Sequence, residues 1–308
     1  MGSQFRVVRA SAAKLIGGRQ FERTLALVDI SPANSYVVDV LRVSAGREHT
    51  RSLHSGFGRL TTTGLSLAAT NEARYGEVMR NFQRDPQATP GWTADWAIDD
   101  HLHYLANPAD IHLRCTDLTR GSEVETAEAW VSVSQYGGTA DAWIPSVLVR
   151  RRTDQPPLAS TFVGVLEPYE GKPKVHAARR LDLRDAEGKP CADGYVAIET
   201  QLADGRRDLF ISADLENSAG VSAAVAETES GARFEGDLCL VRLDQSKRPK
   251  RVLFCRGKSL RIGDLVVEAK DSQASFEVDL DRPESPVVAG PVEAVASIQV
   301  GGVRLWPK

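Results

Sequence analysis

No stretch of this chain approaches the roughly 18 apolar residues that a membrane-spanning helix requires, so no helical span is expected. Residues 1–18, MGSQFRVVRASAAKLIGG, lack the continuous apolar segment of a secretory signal. Arg6 stands where N-myristoylation after Gly2 needs Ser or Thr. Cysteine is scarce: Cys115, Cys191, Cys239 and Cys255 are widely spaced and form no C-x-x-C pair, which argues against a zinc site. Cys239 and Cys255 fall on neighbouring predicted strands and could meet there, although a buried free thiol is the ordinary state of such a residue. No G-x-S-x-G, phosphate-binding loop, G-x-G-x-x-G or H-E-x-x-H is present, which disfavours hydrolase-triad, nucleotide and zincin chemistry. The formal net charge of -3 gives no push toward nucleic acid, whose binding needs a concentrated basic face. Arg150–Arg152 and Lys247–Arg251 (KRPKR) are the basic clusters, and both read as solvated loop charges, with polyanion contact as the alternative.

Helical periodicity is nearly absent as well. Asn71–Asn81 alone reads as a short helix, weakened by Gly76. What is there is a chain of 308 residues, 42% hydrophobic and 26% charged, an ordinary globular composition long enough for about two domains. Its dominant period is two. Short runs rich in Val, Leu and Ile, bounded by Gly, Pro, Asp and Asn, read as strands. In the first half these are Thr24–Asp29, Tyr36–Val43, Asp110–Arg114, Glu128–Val133, Ser146–Arg150 and Ser160–Leu166. Tyr195–Gln201, Asp208–Ser212, Asp237–Leu243, Arg251–Cys255, Asp264–Glu268 and Ser275–Leu280 follow in the second. Ala203–Arg206 (ADGR) and Gly263-Asp264 read as hairpin turns, where Gly accepts the positive φ a tight turn demands. These signs predict an all-β protein of stacked antiparallel sheets. The turn-rich 167–174 and the Asp185–Gly188 break bracket a composition change, and all six His lie before about 185. A large β-sandwich over 1–185 followed by a smaller antiparallel β domain over 186–308 is therefore expected.

Several segments, in order, carry a family likeness. Arg23–Asp29 (RTLALVD) is followed by Tyr36–Val40 (YVVDV), then by His49 and His54 in a G-x-x-H-x-x-x-x-H context whose usual first Gly is Ala45. Thr161–Val163 (TFV) and Leu166–Tyr169 (LEPY) come later. Over roughly 20–180 the chain resembles the β-rich C-terminal region of heparinase II/III-like polysaccharide lyases. The resemblance implies β-elimination on a uronic-acid polysaccharide, such as a heparan-type glycan or alginate. It also implies a partner: the helical toroid that normally precedes this region and supplies the Tyr and most of the His or Asn groups, and that is not found in these 308 residues. The strand segment that gives related enzymes a further catalytic His or a zinc site has no counterpart here. No catalytic residue is therefore carried over, no cofactor is implied, and whether the chain is an enzyme by itself stays open.

The residues themselves offer a few candidates. His49 and His54, in a connection, are placed to line a sugar groove, or else to satisfy loop backbone groups. Trp92 and Trp96 suit sugar stacking, or equally a core, where their large rings are usually spent. His101 and His103 alternate along a strand and with His112 make a weak metal-ligand set. Asp39, inside an apolar strand, is expected to face solvent or an ion partner. Three functions follow: the supporting β region of a lyase, a non-catalytic binding module for acidic polysaccharide, or a metal-assisted enzyme built on the three histidines.

Overall fold

Alternating apolar and polar residues commit nearly every segment to a strand. The computed structural model describes residues 4–70, 75–100, 103, 109–132, 141–216, 222–225 and 231–306, with only the backbone at 141 and 222–225. Two compact units emerge, Val7–Pro173 and, with Met1–Arg6, Lys174–Lys308. The division falls just after the turn-rich 167–174 segment, so the strand beginning at Val175 belongs to the second unit rather than to a first domain ending near 185. All pairings between strands are antiparallel, and 3-10 turns at Ala13–Ile16, Gly76–Val78 and Val292–Ala294 are the only helical pieces among the described residues.

The first unit is a β-sandwich. One sheet has seven strands in the order β1 (Phe5–Ser11), β2 (Gln20–Ser31), β3 (Asn34–Ala45), β12 (Leu158–Glu170), β9 (Ile111–Asp117), β8 (Thr93–Ile98) and β5 (Gly58–Thr63). The other has five: β4 (Glu48–His54), β11 (Asp141–Arg152), β10 (Ser122–Ser132), β7 (Met79–Ala88) and β6 (Ala68–Ala69). Between them Trp92, Ala94, Trp96, Cys115, Val124, Val147, Val149 and Phe162 form the core. Desolvation in this core pushes the Cys115 thiol up to about 12, so it stays a neutral packing group.

This core is partly ionic. Asp39 on β3 and Asp117 on β9 both flank Gly164 on β12, and all three share the inward face. Arg51, reaching from β4 of the opposite sheet, donates to Asp39 Oδ2 at 2.7 Å and approaches Asp117 at 3.7 Å. Its guanidinium lies over Gly164, where a Cβ would meet Nη1 at 3.1 Å. Arg23 adds two hydrogen bonds to Asp39, of 3.0 and 2.8 Å. The expected ion partner of Asp39 is thus an inter-sheet clasp, and Gly164 is small because a cation occupies its place.

The second unit is one twelve-stranded sheet. Its main path runs β13 (Val175–Leu181), β15 (Val196–Leu202), β16 (Arg207–Ser212), β18 (Arg233–Leu243), β19 (Pro249–Ile262), β20 (Leu265–Ala269), β23 (Val295–Val300) and β24 (Val303–Trp306). Four short strands branch from it: β14 (Leu183–Arg184) and β17 (Ser222–Val225), then β21 (Ser275–Asp279) and β22 (Val287–Ala289). One apolar cluster holds the sheet together, with Phe254 edge-on to Phe234 at 5.6 Å and stacked on Phe276 at 4.9 Å. Both expected hairpins form, with Gly205 at φ 87° and Gly263 at φ 56°.

Some expectations fail for physical reasons. The helix over 71–81 gives way to a 3-10 turn at Gly76–Val78 and to β7 from Met79, while 71–74 lie outside the described residues. Arg150–Arg152 is no solvated loop. It lies on β11, where Arg150 is only 1% exposed and pairs with Glu123 and Glu125. KRPKR likewise runs into β19, and Arg251 is buried against Glu277 and Asp279. Cys239 lies opposite Phe254 and Cys255 opposite Leu238, so the two thiols point to opposite faces, and both are free.

Candidate functional site

The histidines of the family-like segment do not converge. His49 and His54 both sit on strand β4 rather than in a connection, and five residues of a period-2 strand separate them onto opposite faces. His49 turns inward, its Nδ1 2.8 Å from Ser160 Oγ. Burial lowers its pKa against a raising contribution from the Ala45 backbone, and Arg151 lowers it further, which favours the neutral ring. His54 is exposed, with Nδ1 3.0 Å from the carbonyl of Ser55. Trp92 and Trp96 are 2% and 1% exposed, so neither presents a face to a sugar. Both rings are spent on the sandwich core, and Trp96 Nε1 also donates to the Pro145 carbonyl at 3.0 Å.

The expected metal set is not assembled either. His101 lies outside the described residues, and His103 is exposed with a left-handed backbone, φ 54°. His112 is committed elsewhere. Among the described residues, no group of three or more His, Cys, Asp or Glu is arranged to hold a metal.

His112 instead anchors a polar cluster on the outward face of the seven-stranded sheet. Its Nδ1 lies 2.5 Å from Asp95 Oδ1 and its Nε2 lies 3.1 Å from Asp110 Oδ1. Both ring nitrogens face carboxylates, an arrangement fully satisfied only by the imidazolium, which donates twice. The Tyr169 hydroxyl donates to the second Asp95 oxygen at 2.6 Å, and its ring stacks on His112 at 4.8 Å. The Asp95 hydrogen bond raises the His112 pKa, with partial burial opposing and Asp110 reinforcing it. Burial first, then Asp95, pushes the Tyr169 hydroxyl well above the ordinary phenol value. The two carboxylates favour the imidazolium, and the phenol keeps its proton.

A raised folded pKa means that the stability from His112 is fully present below the unfolded value, about 6.5. It is lost as pH rises through the higher folded value. In an NMR titration His112 is expected to titrate above that ordinary value and to move down in Asp95→Asn. An unchanged midpoint in the variant would remove Asp95 as the cause.

A second feature was not foreseen in the sequence. The inward positions of β10 run Val124, Thr126, Glu128, Trp130, and the facing positions of β11 run Val149, Val147, Pro145, Trp143. The aliphatic half lies in the core. Beyond it Thr126, Glu128, Pro145 and Trp143 line a groove of about 390 Å³ at the mouth of the sandwich, which β5 borders with Gly58, Arg59 and Leu60. A bulge in β7 sets two residues, Asn81 and Phe82, against one, Ala127, between Gln83↔Thr126 and Arg80↔Glu128. It carries Asn81 at φ 58°. Arg80 Nε and Asn81 Nδ2 thereby both donate to Glu128 Oε2, at 2.7 and 2.9 Å. The Arg80 guanidinium also rests 4.0 Å over the Trp143 ring. The signal available in the sequence was the inward Thr126-x-Glu128-x-Trp130 pattern, which interrupts an otherwise aliphatic strand.

Two other hollows are lined by charges already committed. One of about 330 Å³ in the second unit is walled by the ion pairs Asp237–Arg256 and Glu235–Lys258. Another of about 460 Å³ lies beside Arg150 and Arg152, both bound to Glu123. The chain is all-β, with a sandwich unit that carries an aromatic, polar groove. No family model and no curated protein matches the chain.

Proposed function

We propose that the chain is the β region of a polysaccharide lyase of the heparinase II/III-like type, supporting an acidic polysaccharide for β-elimination. The observation that carries this reading is where the family-like segments lie. Arg23–Asp29, Tyr36–Val40 and Thr161–Tyr169 are on three adjacent strands, β2, β3 and β12. The His49–His54 segment, β4, is tied to them from the opposite sheet through Arg51–Asp39 and His49–Ser160. Segments as far as 111 residues apart thus form one continuous body. In elimination a base removes the uronate C5 proton, the C4–O bond breaks, an acid protonates the departing oxygen, and a C4=C5 double bond remains. Such steps need positioned groups that exchange protons near neutral pH. In this reading a helical region working beside the β units supplies them.

Affinity electrophoresis through gels containing alginate, heparin or a neutral glucan tests the binding. Retardation by an acidic glycan is expected, and unretarded migration in all three gels would sink the proposal. Incubated with the same polysaccharides, the chain alone is expected to give no rise in unsaturated-uronate absorbance at ~235 nm, because this reading places the proton-transfer groups on the helical region.

A further inference from the structure

The groove at the sandwich mouth goes further than its position alone. Inward positions of a sandwich strand are normally apolar, because they fill the space between the sheets. Here the pattern changes partway along β10 and β11, and water-accessible polar groups replace core packing. A bulge is retained in β7 at that same point, and bulges re-aim side chains beside functional sites. It turns both Arg80 and Asn81 toward Glu128, although period-2 geometry would send adjacent residues to opposite faces.

The indole at the centre is held before any ligand arrives. Arg80 covers one face of Trp143 and is itself anchored by Glu128, so the tilt of the ring is fixed. Trp130, 43% exposed, is the direct cross-strand neighbour of Trp143 and extends the aromatic surface toward solvent. Around the indole stand Asn81, Gln83 and Thr126, uncharged groups that can both donate and accept hydrogen bonds. A flat apolar ring framed by such groups matches a pyranose, which has one C–H face and a rim of hydroxyls. The groove volume of about 390 Å³ lies within the roughly 300–1,000 Å³ of small-ligand sites.

Arg80 and Glu128 offset one another, and Arg59, opposite Ala97, starts from the outward side of β5, so ring stacking and hydroxyl hydrogen bonds are what the groove offers. We propose that this groove is a saccharide subsite: Trp143 receives the sugar ring, and Asn81 and Gln83 its hydroxyls.

The inference rests on the proposed function and deepens it, because it assigns the binding to one end of one sandwich. Titrations of the whole chain with an oligouronate of about six residues and with a neutral oligosaccharide of equal length, followed by tryptophan fluorescence or calorimetry, separate the two claims. Trp143→Ala is expected to weaken oligouronate binding about tenfold or more, the loss typical of a central aromatic anchor. Gln83→Ala changes an exposed side chain, so it keeps the test valid should Trp143→Ala fold poorly. Wild-type binding that persists unchanged in both variants overturns the subsite and leaves the proposed function standing. Equal, Trp143-dependent affinity for the neutral sugar overturns the acidic-glycan reading and leaves the subsite. No binding of either sugar by the wild type overturns both.

Discussion

Asp39→Ala is expected to destabilise the sandwich unit by about 3–5 kcal/mol, the cost of leaving a buried cation without its partner. Asp39 is fully buried and accepts hydrogen bonds from both Arg23 and Arg51. Arg51 is itself 5% exposed, and its second carboxylate, Asp117, stands 3.7 Å away. Without Asp39 the guanidinium keeps its desolvation cost and loses its closest acceptor. Urea unfolding followed by tryptophan fluorescence reads the loss, because four of the five tryptophans lie in this unit. The double variant Asp39→Ala/Arg51→Met should lose less than the sum of the two single changes, since each charge is costly mainly when the other is absent. Additive losses would show that the two do not interact. Gly164→Ala should shift the same midpoint downward, because its methyl would press on the Arg51 guanidinium.

Trp96→Ala is the second large effect, about 3–5 kcal/mol, as expected for truncating a buried aromatic. The ring is 1% exposed, lies in the core and hydrogen-bonds the Pro145 carbonyl beside the groove. Trp96→Phe keeps most of the buried area and loses the indole N–H, which should cost about 1 kcal/mol. Trp143 offers the contrast. It is half-buried at the groove, and its truncation should act on sugar binding more than on stability. Equal urea midpoints for Trp96→Ala and the wild type would contradict the packing.

Much of the fold was legible in the residues. Every run that alternates cleanly, from Thr24–Asp29 to Ser275–Leu280, overlaps a strand, because period-2 burial is a local property of the chain. The strands that escaped notice break that alternation. On β4, EHTRSLH, the inward residues are His49, Arg51 and Leu53, so an ionic core reads as a polar connection. On β7, MRNFQRDPQA, two bulges shift the period and Pro86 reads as a loop. Near Trp92 and Trp96 either a helix or a strand would put both rings on one side, and burial between the sheets settled their role. The groove stayed hidden for a related reason. Glu128 and Trp130 read as ordinary strand residues until the opposite sheet is seen to end at β5.

The sequence by itself determined the all-β class and the hairpins at Gly205 and Gly263, because alternation and glycine backbone freedom act within a few residues. Only the tertiary structure decided which charges are buried in pairs, that His49 and His54 part to opposite faces, and that Trp143 rather than Trp92 or Trp96 meets solvent. Those outcomes depend on strands far apart in the chain. A side chain's role there is set by what stands across the sandwich from it, as Arg51 is set over Gly164.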